Sequence, residues 1–248
     1  MSPPVIVGGG PAGSALACLL AGAGREVLVL EREAAPTDKV CGDFLSVEAL
    51  RDVATLGLDL HRLGAAPITA LRLVHGERVA ESTLPFAALG LSRRVLDEAL
   101  LTLAENRGAK VLRGCRALAL HQQGERLCLV SSVGEMAPQA VFLATGKHDL
   151  RGAQRVFGAP KTVAFKTYLS LAPQQTEALR GHVEVVLFDG GYAGLLLVED
   201  DVANLSLIAS ARALERAGGK WDGLLQALVA RSPHLAQRLR GAMQRLPR

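Results

Sequence analysis

Aromatic residues are scarce. One Trp, two Tyr and six Phe make up 4% of 248 positions, too few to lay a stacking path for bases, so nucleic acid is not an expected partner. The four cysteines, at positions 18, 41, 115 and 128, form no C-x-x-C pair. That spacing excludes a disulfide framework and a zinc site, and fits a reducing cytoplasm. The six histidines (61, 75, 121, 148, 182 and 234) include no pair four residues apart and none beside a Ser/Asp constellation. Metal hydrolysis and triad chemistry therefore have no support. No apolar run reaches the ~18 residues of a membrane-spanning helix. The apolar start also lacks the basic flank of a secretory signal.

What is present is ordinary for a globular chain: 49% hydrophobic and 21% charged residues, with a net charge of +4. The charge is uneven, because residues 210–248 hold eight Arg/Lys against two acids. That excess reads as the solvated faces of terminal helices.

The chain opens with "VIVGGGPAGSALACLL" (5–20) and continues to "REVLVLER" (25–32). An aliphatic run, a glycine cluster, a helix rich in small residues and a second aliphatic run make a βαβ unit. Gly8-x-Gly10-x-x-Gly13 follows the first strand. Gly8 permits a tight turn, Gly10 a close backbone approach to a pyrophosphate, and Gly13 close packing of helix on strand. Pro11 and Ala12 begin a helix whose N-terminal amides and dipole favour the anion. Glu31 ends the second strand, where a carboxylate can accept from a ribose 2′-hydroxyl. An acid there disfavours a 2′-phosphate, leaving FAD or NAD.

Further on, 46–63 reads as helical, 69–75 and 77–84 as strands, and 92–108 as a helix with an apolar stripe closed by Gly108. Short strands follow, ending with "AVFLATG" (140–146). From 162 four strand patterns come in quick succession, separated by Asp-Gly-Gly and Glu-Asp-Asp turns. This predicts an antiparallel meander. Helices are expected at about 219–231 and 233–243.

The segments "VIVGGGPAGSALA", "LVLER", "KVCGDFLS", "LSRRVLDEALLTLAENRGAKV" and "VFLATGKHDLRG" together resemble, in order, FAD-dependent flavoproteins of the geranylgeranyl reductase type, relatives of the para-hydroxybenzoate hydroxylase-like monooxygenases. "GYAGLLLVEDDVANLSL" resembles their substrate-domain sheet. The resemblance implies an α/β fold: a Rossmann-like, glutathione-reductase-type FAD-binding domain with an inserted antiparallel β-sheet substrate domain. On the element pattern the first comprises 1–68 plus 91–160 and the second 69–90 plus 161–215, with C-terminal helices over 216–248. The resemblance also implies roles. Glu31 and Arg32 would flank the adenosine ribose, and Lys39, Cys41 and Gly42 would pass near the flavin. Arg93 would contact the cofactor, Ala117 would touch adenine through its backbone, and Thr145 with Gly146 would close the nucleotide pocket. By itself Arg93 also reads as a solvated helix start, Lys39 as surface and Cys41 as a small buried hydrophobe.

A Gly-Asp turn that holds the ribityl chain in these flavoproteins is not found before Arg248. The sequence therefore reads as a fragment, a truncated product or half of a split enzyme, with a C-terminal half as a missing partner and FAD held weakly. The implied activity is hydride transfer from flavin to an unsaturated, apolar small molecule, or oxygen activation, with NAD(P)H bound transiently since no second G-x-G-x-x-G occurs. An inactive nucleotide- or partner-binding fragment and an NAD-dependent dehydrogenase are the competing readings. No acid/base pair stands out in the sequence.

Overall fold

A computed structural model describes residues 2–156 and 162–245. In chain order the elements begin β1 (Val5–Val7), α1 (Pro11–Gly22), β2 (Leu28–Glu31), β3 (Phe44–Leu45), α2 (Val47–Thr55), β4 (Ala66–His75), β5 (Arg78–Gly90) and α3 (Arg93–Asn106). They continue as β6 (Lys110–Arg113), β7 (Ala117–Gln123), β8 (Arg126–Ser131), β9 (Gly134–Met136) and β10 (Val141–Leu143). Next come β11 (Thr162–Ser170), α4 (Pro173–Leu179), β12 (Gly181–Phe188), β13 (Gly191–Leu197) and β14 (Ala203–Ser210). The described chain ends with α5 (Ala211–Arg216), α6 (Trp221–Arg231), α7 (Pro233–Arg238) and β15 (Met243–Gln244).

These elements build two compact units. The first comprises Met1–Thr37, Ala54–Leu58 and Arg94–Phe157; the second comprises Asp38–Val53, Asp59–Arg93 and Gly158–Arg248. Residues 38–53 and 59–68, grouped by sequence pattern with the nucleotide-binding part, thus lie in the second unit. The physical reason is strand pairing: β3 pairs antiparallel with β5, and β4 pairs with β5 and β12. The expected boundary at 160/161 lies outside the described residues.

In the first unit β1 is buried throughout and pairs in parallel with β2 and β10, while β2 pairs with β6. Its aliphatic run is what a strand covered on both faces requires. Helix α1 buries Gly13, Ser14, Ala17, Cys18 and Ala21, the i, i+4 spacing of one narrow stripe of small side chains. Strands β7, β8 and β9 form a separate antiparallel sheet. Val5, Val7, Leu30, Cys115, Leu129 and Leu150 make a buried core.

The second unit holds an eight-stranded sheet in the order β15-β11-β14-β13-β12-β4-β5-β3. The expected meander is corrected: β11 returns beside β14, giving a Greek-key order. The sheet is not wholly antiparallel either, since β12 runs parallel to β4. The long connection from β5 to β12 permits this, whereas hairpins would force antiparallel neighbours. The helix expected over 46–63 stops at Thr55, because Gly57 turns with φ 77°. That expected over 233–243 stops at Arg238; Gly241 takes φ 73°, and Met243–Gln244 pairs with β11. Short α4 and α5 and the brief strands β3, β9 and β15 carry too little periodicity to be read from sequence.

Alternation along these strands sorts the two faces of the sheet. Val186, Leu195, Leu205 and Leu207 are fully buried and pack with Leu224, Leu228 and Leu235 of α6 and α7. The rings of Phe165 and Trp221 approach at 5.4 Å. Within this layer Glu184 is 0% exposed. Arg72 and Arg238 ion-pair with it, the latter at 2.7 Å, and His234 hydrogen-bonds it at 3.0 Å. Arg238, one of the basic residues read as solvated, is buried. Burial alone raises the Glu184 pKa, but the hydrogen bonds and charges of His234 and Arg238 together pull it down to about 2 from the ordinary 4.5. The folded value lies below the unfolded one, so the stabilisation is complete above about pH 5 and is lost as pH falls from there toward 2. The loss is roughly 3 kcal/mol by linkage. Urea midpoints from pH 7 to 3 should decline across that window in the native chain, and the decline should be much shallower in Glu184→Gln.

Candidate functional site

The glycine turn is built by backbone contact. Gly8 has φ 108°, and its amide donates to Leu30 O at 2.9 Å. A side chain on Gly8 would run into Ala144 O, and one on Gly13 into Gly8 O. Gly10 is the N-cap of α1, with Pro11 opening the helix and Ser14 N donating to Gly10 O at 2.9 Å. Pro11 has no amide hydrogen, and helix geometry leaves the Ala12 and Gly13 amides pointing out of the N-terminus. Ser14 Oγ ties the turn by donating to Gly9 O at 2.8 Å.

Glu31 sits beside this cradle. Its Oε2 accepts the Gly9 amide at 2.7 Å and its Oε1 the Glu33 amide at 2.9 Å. Both oxygens keep further lone pairs, so the carboxylate is oriented and can still accept from a diol. Arg32 is paired with Glu33 at 2.8 Å. Thr145 and Gly146 follow β10 in a turn, with Thr145 O accepting from His148 and Gly146 at φ 61°. Ala117 starts β7 opposite Ser131.

The remaining sequence-derived residues, Lys39, Cys41, Gly42 and Arg93, belong to the second unit. They gather around Asp43, a buried non-glycine residue at φ 57°. Asp43 Oδ2 accepts from Lys166 Nζ and Tyr168 OH, each at 2.6 Å. Oδ1 accepts the Arg93 amide at 3.3 Å, which places a carboxylate at the N-terminus of α3 where the helix dipole favours it. Lys166 also donates to Lys39 O at 3.1 Å, and Asn204 Nδ2 to Cys41 O at 3.1 Å. Cys41 Sγ accepts the Asp43 amide at 3.5 Å, and a side chain on Gly42 would meet Ser206 Oγ at 3.7 Å. Burial raises the Asp43 pKa, opposed by Lys166 and by its hydrogen bonds. Burial and then the Asp43 charge raise that of Tyr168. Its hydroxyl therefore keeps its proton and donates.

Beyond this cluster the open face of the sheet turns apolar. Register puts Lys166, Ser206, Gly194, Val185 and Leu73 in one row, and Ile208, Tyr192 and Leu187 in the next. Leu73, Leu187, Tyr192 and Ile208 are exposed.

Asp43, Lys166, Tyr168 and Asn204 escape the sequence reading. The signal was there: Lys166 and Tyr168 stand two apart in the "TVAFKTYLSL" strand pattern, so they share one face. Asp43 follows directly on the Cys41-Gly42 segment. Among the described residues no group of three or more metal-ligating side chains gathers, and no helix is long and apolar enough to cross a membrane.

The βαβ glycine turn, the Glu31 carboxylate beside it and the accompanying mixed sheet define a dinucleotide-binding flavoprotein fold. Residues 2–132 match the FAD binding domain family, and the chain belongs to that family. It is 30% identical over 223 residues to a menaquinone reductase of Mycobacterium tuberculosis, an alignment covering 82% of this chain and 54% of that one. The chain thus spans about half the length of this curated relative. Among solved structures it resembles a myxobacterial FAD-dependent chondrochloren halogenase (TM-score 0.81, 22% identity, 98% of this chain and 60% of that one). It also resembles a geranylgeranyl bacteriochlorophyll reductase-like protein from Thermoplasma acidophilum (TM-score 0.77, 19% identity, 99% and 64%). The flavoprotein resemblance read from the sequence is borne out, and with it the FAD-binding α/β fold.

Proposed function

We propose that the chain is the FAD-binding part of a reductase whose substrate is a largely apolar, unsaturated molecule such as an isoprenoid quinone. The observation that carries this reading is the open sheet face, where exposed Ile208, Tyr192 and Leu187 line up across three strands with Leu73 on the next, and Lys166 of the polar Asp43–Lys166–Tyr168 cluster stands one row from Ile208 on the neighbouring strand. A contiguous exposed apolar field bordered by polar groups is a binding feature more than a structural need. The sequence relation to a menaquinone reductase favours reduction over oxygen activation.

The residues present fit FAD. Pyrophosphate would meet the Ala12 and Gly13 amides at α1, where side chains at Gly8 and Gly13 would leave no room for this turn. Glu31 would hold the ribose with Arg32 beside it. Ala117, Thr145 and Gly146 would line the nucleotide pocket, Lys39, Cys41 and Gly42 would bound the flavin, and Arg93 would contact the cofactor. When bound, the flavin would supply hydride, with a transiently bound reduced nicotinamide as its electron source. The protein binds, orients and excludes water. A bound quinone would lie along the apolar rows of the second unit.

The test is reoxidation of the photoreduced FAD-loaded chain by a short-tailed menaquinone under anaerobic conditions, followed by flavin absorbance. Tyr192→Lys with Leu187→Glu should raise the quinone concentration for half-maximal rate by about tenfold or more, since each loses an apolar contact and places charge against an apolar ligand. FAD affinity should stay unchanged. Equal quinone dependence in the double variant would rule out this face as the quinone site. Hydroxylated product formed only with oxygen would instead establish a monooxygenase.

A further inference from the structure

We propose that Lys166 is a positioning residue that clamps the Lys39–Asp43 segment onto the second unit's sheet and thereby sets the backbone bordering the flavin; this rests on the reading that Lys39, Cys41 and Gly42 bound that ring. The ammonium reaches both ends of the five-residue segment, Lys39 O at 3.1 Å and Asp43 Oδ2 at 2.6 Å. It also lies 4.3 Å from the Tyr168 ring centroid. Asn204 holds the middle through Cys41 O, and the Leu91 amide holds Asp43 O at 3.0 Å.

Three features of this clamp are poor choices for stability alone. Asp43 adopts a left-handed conformation that a non-glycine residue rarely takes. The Lys166–Asp43 pair has side chains only 5% and 0% exposed, and burying such a pair contributes little net stability compared with apolar packing. Asn204, 1% exposed, leaves its Oδ1 without a partner. Local strain, a desolvated ion pair and an orphaned acceptor converge on one short segment. Such features gather where geometry must be held for function. Val40, within the segment, is 47% exposed, so the clamp holds one side while leaving the other open to a ligand.

Cys41 provides a reporter without any cofactor, because Cys18, Cys115 and Cys128 are buried. In the 248-residue chain, Lys166→Met, Lys166→Arg and Tyr168→Phe are compared by mass-mapped iodoacetamide labelling, by FAD and ADP titration, and by the visible flavin band. With circular dichroism unchanged, Lys166→Met should label Cys41 about tenfold faster or more, the scale of a lost charge-assisted hydrogen bond. FAD should bind about tenfold more weakly with a band like that of free FAD, while ADP binding holds. Lys166→Arg should restore much of both effects. If Lys166→Met does not fold, Tyr168→Phe, which removes one hydrogen bond and keeps the ring, should still speed Cys41 labelling severalfold. Unchanged labelling in whichever of these folds overturns the clamp. Faster labelling with unchanged FAD affinity and spectrum keeps the clamp and overturns its placement against the flavin. If the native chain binds ADP but no FAD, the flavin reading fails while labelling still decides the clamp.

Discussion

Glu184→Gln is expected to lower the thermal midpoint by on the order of 10 °C. The carboxylate is 0% exposed and is approached by Arg72, Arg238 and His234. The amide keeps the volume but removes the charge that those guanidinium groups face at a buried position. Breaking one side of a buried ion cluster costs about 3–5 kcal/mol, and each kcal/mol moves the midpoint of a chain this size by about 2–4 °C. Arg72 would retain Glu81 at 2.9 Å, and Arg238 would retain Gln175 Oε1 at 2.9 Å. Those contacts keep the loss near the lower end. Calorimetry at pH 7 reads it. A midpoint within 2 °C of the native chain would show that the cluster relaxes or hydrates freely.

Gly13→Ala should weaken FAD and ADP together by roughly 100-fold or more, equivalent to about 3 kcal/mol. A methyl group there would run into Gly8 O and press Ala144 Cβ at 3.2 Å. The first obstacle is backbone in a turn whose own residue needs φ 108°, so it cannot rotate aside as a side chain would. Helix α1 must shift off β1, carrying with it the Ala12 and Gly13 amides that would meet the pyrophosphate. Overpacking should also cost about 1–3 kcal/mol of stability. Isothermal titration with both ligands distinguishes this from a defect at the flavin end. A parallel loss for FAD and ADP is expected, whereas loss of FAD alone would place the damage away from the cradle. Affinities within twofold of native would show that this turn is not the phosphate site.

The cradle was legible because its chemistry is local. Gly8, Gly10 and Gly13 act first through their own backbone conformation and spacing, and Glu31 is set by the end of the next strand; the contacts of Gly8 and Gly13 with Ala144 are long-range and came only with the fold. The Asp43 cluster was half legible. Its neighbours Cys41 and Gly42 stood out, but Lys166, Tyr168 and Asn204 come from strands more than 120 residues away. Nothing in one-dimensional periodicity says which Lys closes on which Asp. Glu184 was not legible at all, since a Glu inside "HVEVVLF" reads as the solvent side of an alternating strand. Arg238 reads equally as the wet face of a terminal helix.

By itself the sequence determined the βαβ start, the glycine turn, the acid at the end of the second strand and the change from helix-and-strand alternation to strand succession, because each is set by side-chain period or by backbone freedom at neighbouring positions. Only the tertiary structure decided that β11 returns beside β14, that β12 runs parallel to β4, and that residues 38–53 belong with the second sheet. Strand partners are chosen by which apolar faces can be buried together across long chain separations, and buried charges by which opposite charge that packing brings within reach. Neither choice leaves a mark on the residues next in line.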